Sequence, residues 1–306
     1  MSFSEDTRNE LARVVPTARC CRLAELSAFY DLDGMLMGTD NQYLDFTTSS
    51  LQVARKILTL LRSLYPGIAT QVLVMRSRSR RTQICTVRVL KSAEAQKVYQ
   101  DLKELDYAEG QPYLRKKCCR RAYIRGAFLG HGSITNPERT YHLEISTDHS
   151  HAAAKVLAAL HSFHLDAGIV QRKGSLVVYL KDGDQIVTLL NLMGAHQALL
   201  HFENVRVLKD VRNQVNRLVN CETANVDKTV KAAMSQIEAI RLIEEHDGLD
   251  QLHPKLREVA LLRQQYPYAS LKELGDMCNP PMSKSGVNYR IRQLKARAAE
   301  IARLYS

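Results

Sequence analysis

The amino-acid sequence predicts an α+β fold, in which a duplicated domain of two αββαββα halves is followed by an all-α helix-turn-helix domain. Two observations predict it. The segment Cys20-Cys21-Arg22 recurs 98 residues later as Cys118-Cys119-Arg120, and similar helix and strand patterns follow both copies. Near the C-terminus, short turns separate three amphipathic helices. The expected organisation is an α+β domain over 1–204 with halves of about 18–110 and 111–204, a helical linker over 205–248, and a helix-turn-helix domain over 249–306.

The two halves match at further positions. At the same offset, Gly34 corresponds to Gly132. Further on, residues 44–48 (Leu-Asp-Phe-Thr-Thr) resemble residues 143–147 (Leu-Glu-Ile-Ser-Thr), now at an offset of 99. Because an internal repeat indicates a repeated structural unit, we expect the halves to pack about a pseudo-two-fold axis.

Each half is predicted to contain the same elements in the same order. A first helix ends at a glycine, and a polar turn and a short strand follow. Next comes an amphipathic helix with apolar residues at three- and four-residue spacing. A β-hairpin and a closing helix complete the half. The predicted elements are helix 19–32, strand 43–48, hairpin strands 70–76 and 84–90 and helix 92–105 in the first half, and helix 118–130, strand 141–147, hairpin strands 167–172 and 175–180 and helix 183–193 in the second.

The composition is that of a folded chain with a polyanionic partner. Hydrophobic residues make up 45% of the 306 residues, and no apolar run approaches the ~20 residues of a membrane span, so disordered and membrane classes are excluded. The net charge of +11 favours nucleic acid or an anionic surface as partner. The first residues lack the features of a signal peptide, and the seven cysteines are an odd number. We therefore expect reduced thiols and a cytoplasmic, nucleoid-associated protein without a membrane partner.

The predicted hairpins differ at their tips. The second turns tightly at Lys173-Gly174, whereas the first has a longer tip. A long basic β-ribbon has the dimensions to enter a major groove or to follow a nucleic-acid backbone. The alternative is an exposed edge hairpin that its arginines keep soluble. A run of six residues in this first hairpin contains four arginines: Arg76, Arg78, Arg80 and Arg81.

The first helix of each half ends in a recognisable motif. Residues 26–34 (LSAFYDLDG) fit, position by position, the LAGLIDADG motif of homing endonucleases. Residues 124–132 (IRGAFLGHG) are a looser second copy. The resemblance implies that small residues, here Ser27, Ala28 and Gly126, let the two motif helices pack closely side by side.

The residue before the final glycine distinguishes this chain from the active endonucleases that it resembles. In those enzymes it is acidic in both copies, and the two carboxylates hold the divalent metals that activate water. Asp33 keeps the acid in the first copy, but His131 replaces it in the second. One carboxylate is a poor site for Mg²⁺, which prefers several oxygen ligands. His131 is expected to be a solvated or capping residue, with a softer metal as the alternative.

Three helices are predicted at the C-terminus. Pro254 suits the first turn of one helix, and Ser270 with Glu273 forms a capping box at the start of the next. Ser283 is the predicted N-cap of the third helix, whose apolar stripe is Val287, Ile291, Leu294 and Ala298.

This arrangement predicts a helix-turn-helix that binds double-stranded DNA, with the third helix in the major groove. A lysine in its first turn suits a phosphate contact, and the asparagine and arginines further along can bond adenine and guanine edges. The alternative is an ordinary three-helix bundle with a charged exterior. The predicted DNA-binding residues are Ser270, Lys272, Ser283, Lys284, Ser285, Asn288, Tyr289, Arg290, Arg292 and Lys295.

The linker has two apolar stripes, which predict connector helices packed on a neighbour. The amide-rich segment 213–225 is expected either to cap helices or to contact a partner. The stripes are Val207, Val211, Val215 and Leu218, then Val226, Val230, Ala233, Ile237 and Ile240.

A degenerate LAGLIDADG domain followed by a helix-turn-helix resembles the WhiA family of bacterial regulators, over nearly the whole chain. The most specific stretches are NRLVNCETAN at 216–225, GAH at 194–196 with FENV at 202–205, and SLKELG at 270–275 through NPPMSKSGV at 279–287. The resemblance implies a DNA-binding protein without nuclease activity that acts in sporulation, or in cell division and chromosome segregation. It also implies a WhiB-type iron–sulfur partner if the source is actinobacterial. The departure from the family is Asp33.

The cysteines predict little chemistry. The adjacent pairs at 20–21 and 118–119 lack the C-x₂-C spacing of the usual zinc site, so we expect them to be buried as small hydrophobes. The sequence also lacks the phosphate-binding and nucleophile motifs of common enzymes. No metal, cofactor or catalytic residue is therefore expected.

The sequence is compatible with three functions. The first is a non-enzymatic DNA-binding regulator, which the helix-turn-helix favours. The second is a residual metal-dependent endonuclease, against which His131 argues. The third is a module that binds RNA or protein through its basic face.

Overall fold

The computed structural model describes residues 2–38, 43–76, 83–104 and 114–305. Within it, the chain forms two compact units, Met1–Lys209 and Asp210–Ser306.

Helix α1 (Phe3–Ala12) precedes the repeats and has no counterpart among the predicted elements. The hydroxyl of Ser2 caps it by accepting a hydrogen bond from the Glu5 amide at 3.2 Å. Its Leu11 is fully buried in the core of the first unit. The helix is thereby part of the duplicated domain.

The two halves have the predicted αββαββα order, which confirms the duplication, although the first strand of each half is not among the strands that the sequence predicts individually. The first half consists of α2 (Arg19–Asp33), β1 (Gly34–Met37), β2 (Tyr43–Thr48), α3 (Leu51–Leu64), β3 (Thr70–Arg76), β4 (Gln83–Val89) and α4 (Ser92–Glu104). The second half consists of α5 (Lys117–His131), β5 (Gly132–Ile134), β6 (Leu143–Thr147), α6 (Ser150–His161), β7 (Gly168–Arg172), β8 (Ser175–Leu180) and α7 (Gly183–Met193).

Each half has an antiparallel four-stranded sheet. The strand orders, β1-β2-β4-β3 and β5-β6-β8-β7, are equivalent. In the first sheet Phe46 pairs with Val87, and in the second Ile145 pairs with Val178; all four side chains are buried. Because side chains alternate along a strand, one face of each sheet covers the core and the other faces away from it.

The second hairpin turns at Lys173 and Gly174, as the sequence predicts. Both residues have positive φ, at 50° and 95°. Two positive φ angles are typical of the tight turns that match the twist of antiparallel strands. A glycine at the second position accepts this backbone without strain.

One long helix, α8 (His196–His246), takes the place of the expected connector helices. The segment contains neither glycine nor proline, so its backbone hydrogen bonds continue without a break. The expectation that the first apolar stripe packs on a neighbour is wrong, because Val207, Val211, Val215 and Leu218 are exposed. In the second stripe, Ala233 and Ile240 are buried, whereas Val226 and Val230 are exposed.

The second unit has the three predicted C-terminal helices, α9 (Pro254–Gln265), α10 (Leu271–Met277) and α11 (Lys284–Tyr305). Its core combines the end of α8 with one face of each of these helices. The stripe predicted for α11 is buried in full. None of the described helices is both long and apolar enough to cross a bilayer.

Candidate functional site

The motif helices α2 and α5 pack against each other at small residues, as the sequence predicts. A Cβ atom added at Gly126 would lie 2.6 Å from the Glu25 carbonyl oxygen and 2.9 Å from the Ala28 Cβ. Such distances are closer than van der Waals contact allows. Glycine at this position is therefore what permits the close approach.

The two motif helices end side by side at equivalent glycines. The amide of Gly34 donates to the Tyr30 carbonyl, and that of Gly132 to the Phe128 carbonyl. One residue earlier, His131 Nε2 is in direct hydrogen-bond contact with Asp33 Oδ2. This contact confirms that the two helix ends lie next to each other.

Asp33 and His131 are each about one-third exposed and are paired with each other. The hydrogen bond to Asp33 raises the pKa of His131, burial opposes this shift, and Asp148 adds to it. The His131 imidazole stands at the motif position that an acidic residue holds in the first copy. The arrangement is therefore a hydrogen-bonded carboxylate–imidazole pair rather than a pair of carboxylates.

Buried charges lie further along the helix pair, and the sequence analysis missed them. Glu25 is fully buried and accepts two hydrogen bonds from Arg125, at 3.1 and 2.8 Å. Lys56 of α3 lies 3.1 Å from the same carboxylate and also donates to the Val14 carbonyl. Burial lowers the pKa of Lys56, and Glu25 opposes that shift.

A second buried carboxylate, Asp31, accepts hydrogen bonds from Lys155 of α6 and from the Tyr123 hydroxyl, both at 2.9 Å. Lys56 and Lys155 occupy equivalent positions in the two halves, at the offset of 99. The signal in the sequence is that each acid stands between two apolar neighbours in α2. These groups stabilise the helix pair, and their burial excludes them from contact with a ligand.

The helix-turn-helix has the predicted capping box. The Ser270 hydroxyl accepts from the Glu273 amide at 3.3 Å, and the Glu273 carboxylate accepts from the Ser270 amide at 2.7 Å. The turn closes where the Met282 amide donates to the Gly275 carbonyl at 2.9 Å. A Cβ at Gly275 would lie 2.2 Å from the Met282 carbonyl oxygen, so this turn requires glycine.

A buried arginine supports the turn between α9 and α10. Arg263 Nη1 donates to the carbonyl of Ala269 at 2.6 Å and is within 3.5 Å of the carbonyls of Tyr266 and Pro267. Burial lowers the pKa of this guanidinium. The three carbonyl oxygens compensate the positive charge of the guanidinium. Their contacts with Arg263 stabilise the turn.

The predicted DNA-binding residues divide into two sets. Several have structural partners: Ser283 Oγ caps α11 through the Gly286 amide, Lys295 donates to Ser235 Oγ at 2.9 Å, and Arg290 folds back on the Gly286 carbonyl. Within the described residues, the remaining side chains of the set, apart from Ser270 and Tyr289, have no hydrogen bond or ion pair. These are Lys272, Lys284, Ser285, Asn288 and Arg292.

Tyr289 lies beside this second set. This residue is 63% exposed, and its hydroxyl accepts from Gln293 Nε2 at 3.1 Å. Lys284 and Arg292 are also exposed, and Asn288 is half-buried. The four side chains form a continuous polar surface on the first two and a half turns of α11.

The basic hairpin of the first half is described only in part. Arg76 is the last residue of β3, whereas Arg78, Arg80 and Arg81 lie outside the described residues. The predicted contact of this cluster with nucleic acid stays a prediction.

The outer faces of the two sheets carry paired charges. Arg88 of β4 donates to Asp45 of β2 at 2.8 and 2.7 Å. In the second sheet, Glu144 is the residue equivalent to Asp45, and it lies 3.6 Å from Arg172 of β7. Because each acid neutralises an arginine, these pairs add little net positive charge to the sheets.

The prediction that the cysteine pairs are buried is correct for Cys21 and Cys119. It is wrong for Cys118, which is exposed, and Cys20 is half-buried. The reason is that adjacent residues on a helix point about 100° apart, so both members of a pair cannot face the core equally.

Comparisons with known proteins agree with this architecture. Sequence profiles of the WhiA N-terminal LAGLIDADG-like domain, the WhiA LAGLIDADG-like domain and the WhiA C-terminal helix-turn-helix domain match residues 19–105, 120–212 and 215–298. A probable cell division protein WhiA from Heliobacterium modesticaldum is 49% identical, over 99% of this chain and 98% of that protein. One from Desulforamulus reducens is 46% identical, over 98% and 96%.

A solved structure extends the similarity to the whole fold. Full-length WhiA from Thermotoga maritima is 26% identical, with a TM-score of 0.63 over 98% of this chain and 99% of that one. The two LAGLIDADG-like halves and the C-terminal helix-turn-helix are thus common to both. The chain belongs to the WhiA family.

Proposed function

We propose that this chain is a sequence-specific DNA-binding regulator without nuclease activity, and that it controls genes of cell division and chromosome segregation, or of sporulation. One observation carries the proposal. The start of α11 presents Lys284, Asn288 and Arg292 with no intramolecular hydrogen bond or ion pair among the described residues. Polar side chains held on a rigid helix without internal partners are available to a ligand.

The order of these residues along α11 fits a major-groove contact. Lys284 lies in the first turn, where the helix dipole and a positive charge both favour a phosphate. Asn288 and Arg292 follow at intervals of four residues and so lie on one face of the helix. Their amide and guanidinium groups have the geometry to bond adenine and guanine edges.

The Asp33–His131 pair supports the absence of nuclease activity. A two-metal mechanism needs carboxylates from both motif helices to hold the ions. Here the first carboxylate is bonded to an imidazole that replaces the second. The proposed reason for inactivity is thus the loss of a ligand together with the neutralisation of the remaining one.

The names of the relatives support a role in cell division. The proteins from Heliobacterium modesticaldum and Desulforamulus reducens are both named probable cell division proteins. A protein that binds regulatory sites on the chromosome would be found with the nucleoid. The WhiB-type partner stays a prediction for an actinobacterial source.

The decisive experiment maps the bound chromosomal sites in the source cell and measures binding of the purified chain to the recovered sequence. We expect enrichment upstream of a small set of genes and tight binding to that duplex. A scrambled duplex and a double-stranded RNA of the same length serve as competitors. Equal competition by the scrambled duplex would rule out sequence-specific binding, and stronger competition by the RNA would favour an RNA-binding module.

A plasmid-cleavage assay with Mg²⁺ and with Mn²⁺ tests the absence of nuclease activity. We expect no nicked or linear product from a plasmid that carries the recovered site. Cleavage that disappears in the Asp33→Asn variant would show that the motif helices retain a catalytic centre.

A further inference from the structure

Four cysteines converge at the N-terminal ends of α2 and α5. Cys20 and Cys21 lie in the first turn of α2, and Cys118 and Cys119 lie in the first turn of α5. Their four sulfur atoms all lie within 4.8 Å of one another. Since the pairs are 98 residues apart, only the packing of one half on the other brings them together.

This cluster has the dimensions of a tetrahedral thiolate site. Four sulfurs at ~2.3 Å from a zinc ion are ~3.8 Å from one another. The largest separation here exceeds that value by about 1 Å, which small rotations about the Cα–Cβ bonds cover. The compactness favours a single ion over an iron–sulfur cluster, whose several iron atoms hold their thiolates farther apart.

The helix ends at the cluster favour negative charge, whereas burial and the neighbouring sulfurs raise the pKa of the Cys21 and Cys119 thiols in the metal-free chain. The N-caps of the two helices, Ala18 and Lys116, make no side-chain hydrogen bond to the first turn, and neither first turn contains an acidic residue. Both positive helix ends are therefore directed at the sulfurs. Thiolates at helix N-termini are stabilised by these dipoles.

We propose that Cys20, Cys21, Cys118 and Cys119 form a structural zinc site that joins the two halves of the duplicated domain. Four protein ligands leave no open position, which is typical of structural rather than catalytic zinc. The exposure of Cys118 gives the ion a path to the site. The site lies at the opposite end of the motif helices from Asp33 and His131, about 20 Å away along fifteen-residue helices.

The spacing of the cysteines does not match that of a usual zinc site, so the sequence alone does not predict this one. A usual zinc site takes two ligands from one short loop with intervening residues, whereas here adjacent residues in a helix supply each pair. Within each pair, the two adjacent side chains point in different directions around the helix axis. The facing arrangement of two such pairs is a property of the α2–α5 contact.

The test begins with the full-length chain, purified with a reductant and without chelators. We expect about one zinc per chain by elemental mass spectrometry. Replacement by Co²⁺ should give the intense visible bands of tetrahedral cobalt and the sulfur-to-cobalt charge-transfer band. The Cys20→Ser/Cys118→Ser double variant should lose zinc and both spectral signatures, whereas Cys221→Ser, an exposed cysteine of α8, should keep them.

A second measurement needs no variant. In the wild-type chain, zinc should protect four of the seven thiols from alkylation, and a chelator should expose them, with the modified residues identified by peptide mass spectrometry. Zinc should also raise the melting temperature of the wild-type chain and not that of the double variant.

Three results would overturn the proposal. The first is wild-type protein that contains less than a tenth of an equivalent of zinc and gives no cobalt spectrum. The second is alkylation of the four thiols at the same rate with and without zinc. The third is a disulfide between the two cysteine pairs in the purified protein. The last result would assign the cluster to a covalent cross-link instead.

Discussion

Glu25 and Arg125 form a two-point ion pair inside the contact between the motif helices. The Arg125 Nη2–Glu25 Oε2 distance is 2.8 Å and the Nε–Oε1 distance is 3.1 Å. A further donation from Arg125 Nη1 to the Met193 carbonyl at 3.2 Å connects the pair to the end of α7. Each half contributes one partner, so this pair forms only when the halves are correctly packed.

Removal of one partner should therefore destabilise the duplicated domain. We expect Arg125→Met to lower the free energy of unfolding by about 3–5 kcal/mol, because it leaves the Glu25 carboxylate buried with Lys56 as its remaining cation. The control is Arg19→Met, which removes an exposed arginine paired with Asp101 and should cost less than about 1 kcal/mol. Urea denaturation followed by circular dichroism measures both, and equal losses would contradict this prediction.

The His131–Asp33 pair predicts a pH dependence of stability. Because the pKa of His131 is raised in the folded state, its stabilising contribution is complete below the ordinary histidine pKa of about 6.5. It is lost as the pH rises through the raised value. The difference in melting temperature between the wild-type chain and His131→Gln should thus shrink as the pH increases above about 6.5.

Nuclear magnetic resonance gives a direct check of this titration. The His131 ring should titrate above the ordinary value in the wild-type chain and closer to it in Asp33→Asn, where Asp148 and Arg8 still face the ring. A stability difference that is constant across this pH range would refute the role of the pair.

The turn of the helix-turn-helix provides a matched pair of glycine substitutions. Gly275→Ala should destabilise the C-terminal unit strongly, because the new Cβ would lie 2.2 Å from the backbone oxygen of Met282. Gly286→Ala adds the same methyl group at 3.4 Å from the Arg290 guanidinium. That variant should be neutral or stabilising by up to about 1 kcal/mol, since alanine favours a helix. Thermal unfolding of both variants measures the difference in stability. A lower melting temperature for Gly286→Ala than for Gly275→Ala would contradict this prediction.

The proposed DNA contacts of α11 should separate into two kinds. Lys284→Ala should weaken binding to all duplexes similarly and reduce the salt slope by about one, because a phosphate contact releases counterions whatever the sequence. Arg292→Ala should cost about 1–3 kcal/mol on the preferred site and relax discrimination there. Fluorescence anisotropy over a salt series measures both effects.

The matched control for these variants is Lys255→Ala, an exposed lysine in the first turn of α9. It removes the same charge from the same unit and should change affinity less than Lys284→Ala. If neither Lys284→Ala nor Arg292→Ala alters binding, the face assigned to DNA is incorrect.

The arginine cluster of the first hairpin gives an independent prediction. If this hairpin follows a DNA backbone, Arg80→Ala should lower affinity and reduce the salt slope by about one, as a lost phosphate contact does. An unchanged affinity and slope, beside a clear effect of Lys284→Ala, would identify the cluster as a solubilising edge.

The sequence by itself determined the repeated αββαββα order, the ends of most helices and the capping box at Ser270. These features depend on local signals: the period of apolar residues, the glycines that end helices, and side chains that bond amides three residues away. The repeat of Cys20-Cys21 at Cys118-Cys119 established the duplication without any knowledge of contacts. The polar face of α11 followed from helical periodicity in the same way.

Only the tertiary structure decided which residues from distant parts of the chain meet. The pairing of Asp33 with His131, the buried carboxylates of Glu25 and Asp31, and the convergence of four sulfurs all arise at the contact between α2 and α5. The long helix α8 likewise departs from expectation, because an apolar stripe does not reveal whether a neighbour covers it. Local propensity acts within a few residues, whereas these contacts depend on how closely Gly126 lets one half approach the other.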